Sequence, residues 1–63
     1  MTEKELAKIA YEYAEKGFDV EMFEYCDDLC NATAEEKDTA FELFSECRFI
    51  GMCEFCDKYG IEG

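Results

Sequence analysis

Cys53 and Cys56 stand three residues apart in Met52-Cys53-Glu54-Phe55-Cys56, and Cys26 and Cys30 stand four apart in Cys26-Asp27-Asp28-Leu29-Cys30. On a helix either spacing puts both thiols on one face, so the two pairs could converge as four sulfur ligands on a tetrahedral zinc ion. Such a site would staple a small domain, because metal binding supplies folding free energy when the unfolded chain has no preformed site. The overall spacing, Cys-x3-Cys, x22, Cys-x2-Cys, is nevertheless unlike that of zinc fingers and ribbons, which use at least one pair on a tight turn.

With each segment read as helix, all five cysteines also fall on inward phases beside Phe, Leu and Met. Free cysteine packs there as a small hydrophobe. An odd number of thiols cannot complete a disulfide framework within one chain. A thioredoxin-like pair is disfavoured as well, since the carboxylates of Glu54 and Asp57 oppose a thiolate and no strand-to-helix junction precedes Cys53. The expectation is therefore core thiols and no resident cofactor. A zinc- or thiol-based module on Cys26, Cys30, Cys53 and Cys56 is the alternative.

The second chemical group is carboxylate. The chain carries a net charge of -11, and residues 19–47 hold ten acids against Lys37 alone. Residues 1–18 hold four acids and three lysines, and residues 48–63 hold three acids against Arg48 and Lys58, so the ends are close to neutral. In helical phase Glu21, Glu24, Asp27, Asp28, Glu35, Asp38, Glu42 and Glu46 form an outward acidic face. A one-signed patch repels itself and repels nucleic acid, so direct nucleic-acid binding is not expected. It suits a basic protein surface, where spaced carboxylates on helices can imitate phosphates and steer association. A merely solvated acidic surface is the competing explanation.

Catalysis finds little support. There is no histidine, Ser45 is the only serine, and no glycine-rich phosphate loop or EF-hand loop occurs. The carboxylates lie on surface phases without a cleft to separate their pKa values, so no enzyme is expected.

The elements that must position these groups are helical. Thr2 and Glu5, and again Thr33 and Glu36, have the spacing of a capping box, and Asp19 suits an N-cap after Phe18. Leu6, Ile9, Ala10, Tyr13 and Ala14 form one apolar stripe; Met22, Phe23, Tyr25, Cys26, Leu29 and Cys30 form a second, and Ala40, Phe41, Leu43, Phe44 and Cys47 a third. The pattern predicts helices over 3–16, 20–30, 34–48 and 51–59, packed as a single all-α domain, a small bundle of three main helices and a short fourth. The short link at Asn31–Thr33 makes helices two and three antiparallel neighbours. Phe49, Cys53 and Cys56 fall out of phase with the third stripe, which predicts a break between Cys47 and Gly51.

At 49% hydrophobic residues, the 63-residue chain is too apolar for a disordered acidic tail. It contains no run long enough to span a bilayer and no signal-peptide pattern, so a soluble, cytoplasmic protein is expected. Ten aromatics exceed what so small a core readily hides. Tyr11, Phe55 and Tyr59 are expected at its margin, as anchors for a partner or for a homodimer. In size and charge the chain resembles the small acidic inhibitors that phages deploy against host nucleases, CRISPR effectors or polymerases. That resemblance implies a non-catalytic inhibitor acting as a nucleic-acid mimic on a nucleic-acid-handling protein. It rests on composition and carries no functional residues with it.

Overall fold

The computed structural model describes residues 1–61, and these form an all-α domain with no strand among them. Four helices follow in order: α1 Glu3–Glu15, α2 Val20–Glu24, α3 Ala34–Ile50 and α4 Met52–Tyr59. A 3-10 turn, Asp27–Leu29, lies between α2 and α3. No described helix is long and apolar enough to cross a membrane.

Both expected capping boxes form. The Glu5 amide donates to Thr2 Oγ1 at 3.2 Å while the Thr2 amide donates to Glu5 Oε1 at 3.3 Å. At the start of α3 the Glu36 amide donates to Thr33 Oγ1 at 3.1 Å, and the Thr33 amide to Glu36 Oε1 at 2.9 Å. Asp19 caps α2 by accepting from the Met22 amide at 2.8 Å. Each cap satisfies amides that have no intrahelical acceptor, an effect of about 1 kcal/mol. At the end of α1 the Phe18 amide donates to Tyr13 O and the Gly17 amide to Ala14 O, both at 3.1 Å, a Schellman closure that needs the positive φ of Gly17.

The helix expected over 20–30 is a shorter one. It ends at Glu24, Cys26 is extended, and the chain continues as a series of tight turns. Hydrogen bonds run from the amides of Tyr25, Cys26, Leu29, Cys30 and Ala32 to the carbonyls three residues back. The side-chain spacing explains the change. Phe23, Cys26 and Leu29, the buried residues of this segment, recur strictly every three residues. That period drifts around an α-helix but stays on one face where the turn contains three residues. Asp27 and Asp28, poor formers of helix interiors, open the 3-10 turn that follows. Met22, Tyr25 and Cys30, expected on the inward face, are exposed.

Phe23 is the centre of the core. It stacks on Phe44 with ring centroids 4.4 Å apart, meets Tyr13 and Phe41 edge-on at 5.8 Å each, and has no exposed surface. Burying a side chain of this size contributes about 1.5–3 kcal/mol, more than any single cap. The most extensive helix packing is α1 on α3, where Ala7, Ala10 and Ala40 are fully buried and their small side chains allow close approach. Leu6, Leu43 and Cys47 complete that seam, and Phe55 of α4 closes one end of the core.

The expected break falls at Gly51, the latest point of the expected interval. Its φ of 94° and ψ of 153° belong to a region that is essentially glycine-only, and α4 begins at the next residue. α3 runs on through Ile50, past the expected end at 48, so the break falls after Phe49 and does not realign it with α4; the ring stays outward and is 89% exposed.

Candidate functional site: an acidic helical face

The outer side of α3 carries the most regular array of charge. Glu35, Asp38 and Glu42 are exposed and lie within about 60° of one another around the helix axis, separated along it by about 5 Å per step. Glu35, Glu42 and Phe49 follow at intervals of seven residues, which places them nearly on one line along the helix. A rigid 17-residue helix, capped at Thr33, thus presents three carboxylates and ends that row in an exposed aromatic ring.

The preceding segment adds Glu21, Glu24 and Asp27, all exposed. None of these six carboxylates has an ion pair or a side-chain hydrogen bond among the described residues.

The other two expected members of the face are already engaged. Asp28 accepts the Tyr13 hydroxyl at 2.7 Å, and that bond, with burial behind it, pushes the Tyr13 phenol well above the ordinary tyrosine range. Glu46 pairs with Lys58 of α4 and accepts the Tyr59 hydroxyl at 2.9 Å. Lys58 first, then Tyr59, hold its carboxyl below the usual carboxylate range. Glu46 therefore serves the α3–α4 junction. It is the least exposed member of the expected face.

Two of the three aromatics expected at the margin of the core, Tyr11 and Tyr59, lie there, and Phe55 does not. Phe55 is fully buried, because α4 turns its inner face onto the core, and Tyr11 and Tyr59 are half-buried. Phe49 and Tyr25 are the exposed rings, Tyr25 at 82%, with Val20 and Met22 also open to solvent. The signal for Phe49 lay in its helical phase. No comparable signal marked Tyr25, whose exposure follows from the early end of α2.

The four thiols of the zinc alternative do not meet. Among the described residues no group of three or more Cys, Asp or Glu side chains converges to hold a metal ion. Cys26 is buried beside Tyr13 and Asp28, and burial pushes its thiol up. Cys30 and Cys53 are exposed and Cys56 is half-buried, which corrects the expectation that all five thiols are core. Cys47 alone joins Cys26 as a buried thiol. Cys30, expected on one face with Cys26, is exposed while Cys26 is buried.

Comparison of the chain with protein-family models, with curated proteins and with solved structures finds no match.

Proposed function

We propose that this chain is a small, non-catalytic protein-binding module of the cytoplasm, an inhibitor whose acidic helical face occupies the basic nucleic-acid-binding surface of a target protein. The observation that carries the reading is the set Glu21, Glu24, Asp27, Glu35, Asp38 and Glu42, exposed and unneutralised, half of it on one face of the longest helix.

Like charges on one surface raise the energy of the folded state, and Lys37 is the only basic residue of their segment. A target lined with Lys and Arg relieves that repulsion on binding and is reached quickly through electrostatic steering. The α3 carboxylates are carried on helical backbone, so docking orders their side chains without a further backbone cost. Phe49 supplies an apolar anchor at the end of the α3 row, of the kind that dominates binding energy when it enters a pocket.

The test is competition. Purified nucleases, RNA-guided effectors and polymerases are loaded with labelled duplex and titrated with the chain at low and high salt. Displacement of duplex at low salt, weakened as salt rises and lost in the E35K/D38K/E42K variant, is the expected result. Displacement that the triple variant retains would overturn the assignment of the site.

A further inference from the structure

A shallow cleft of about 460 Å³ lies between α1 and α4, away from the acidic row of α3. Tyr11, Met52, Cys53, Cys56, Asp57 and Ile61 line it. Two thiols and a thioether thus share one concave surface. Cys53 is exposed and Cys56 half-buried, and both are free thiols.

Cys53 and Cys56 are three residues apart on one continuous helix, a spacing that sets their Cβ atoms about 5–6 Å apart on one face. Two sulfurs so placed can approach a single ion from either side. A tetrahedral zinc ion needs more, and among the described residues no group of three or more Cys, Asp or Glu side chains is placed to hold a metal ion. Soft sulfur ligands select soft cations, whereas the oxygens of Asp57 and Tyr11 are hard and compete poorly for them. We propose that Cys53 and Cys56, with the Met52 thioether beside them, form a binding site for a soft monovalent cation of the Cu(I) class.

On binding, each thiol releases its proton to solvent and two sulfur–metal bonds form. No electron is transferred, and the bis-thiolate complex carries one negative charge. Cys47 is buried in the core, 1% exposed, and does not line the cleft, so it stands outside the ligand set.

The probe is Ag(I), a redox-inert monovalent ion, added to the fully reduced chain without oxygen and followed by the ultraviolet thiolate-to-metal absorption and by native mass spectrometry. One ion per chain is expected, in competition with a small dithiol chelator. Cys53→Ser and Cys56→Ser should each abolish it, while Cys30→Ser leaves it unchanged and circular dichroism reports all three variants folded. Retention of the ion by the C53S/C56S double variant, or a complex that also needs Cys26 and Cys30, would overturn the proposal. So would binding by the native chain no tighter than by that double variant.

Discussion

The Tyr13 hydroxyl donates to Asp28 Oδ2 at 2.7 Å, tying the end of α1 to the 3-10 turn that follows α2. The ring of Tyr13 is buried against Phe18 and Phe23, so one side chain joins the aromatic core to the acidic surface. Tyr13→Phe keeps the packing and removes only the hydrogen bond. It should lower stability by about 1 kcal/mol, the net worth of such a bond at a partly wet site, with the change read as a shifted urea midpoint at constant slope.

The same contact sets an alkaline limit. The Tyr13 phenol is held up by Asp28, and that of Tyr11 is pushed up to about 12, chiefly by the neighbouring Glu15. Above the ordinary tyrosine value of 10.0 the unfolded chain loses these protons while the folded chain keeps them, so stability must fall as pH rises. Below that value the contribution is fully present. Thermal melts between pH 9 and 12 should show a falling midpoint, and Tyr13→Phe should flatten part of the slope; these pH settings bracket roughly the ordinary tyrosine range.

Gly51 permits α3 and α4 to meet at their sharp junction. An alanine there meets no neighbouring atom, so its cost is backbone strain alone. Gly51→Ala should destabilise the domain by about 1–3 kcal/mol or drive α3 and α4 toward one continuous helix. Urea unfolding measures the first effect, and loss of the Glu46–Lys58 contact in the spectra of the variant reports the second.

The cysteines separate into two classes that substitution will distinguish. Cys47 is 1% exposed, and Cys47→Ser places an unpartnered hydroxyl in an apolar seam at a cost of about 1–3 kcal/mol. Cys30→Ser, at the surface, should change stability by no more than about 0.5 kcal/mol. Denaturant midpoints of the two variants make the comparison directly.

Much of this architecture was legible in the sequence. Thr2 with Glu5 and Thr33 with Glu36 announced two helix starts, and the phase conflict beyond Cys47 a break before α4. These are local signals, written within one turn of helix. The end of α2 was not legible, because the three-residue recurrence of Phe23, Cys26 and Leu29 resembles part of a helical stripe until the core decides which residues it accepts. From that one misjudged segment came the wrong burial of Met22, Tyr25 and Cys30. The acidic face was mostly legible, since outward phase on α3 depends on helix geometry alone. What the pattern did not disclose is that Asp28 and Glu46 are taken up by Tyr13, Lys58 and Tyr59, because those contacts join residues 12 to 15 positions apart.

Recognition of a basic partner is assigned above all to the α3 carboxylates Glu35, Asp38 and Glu42. The most direct measurement is the affinity of that partner for the native chain and for E35K/D38K/E42K across a series of salt concentrations. The native affinity should fall steeply with salt, and the variant, still folded, should lose roughly a hundredfold or more at low salt. An affinity unchanged by the three reversals, or independent of salt, would contradict that assignment.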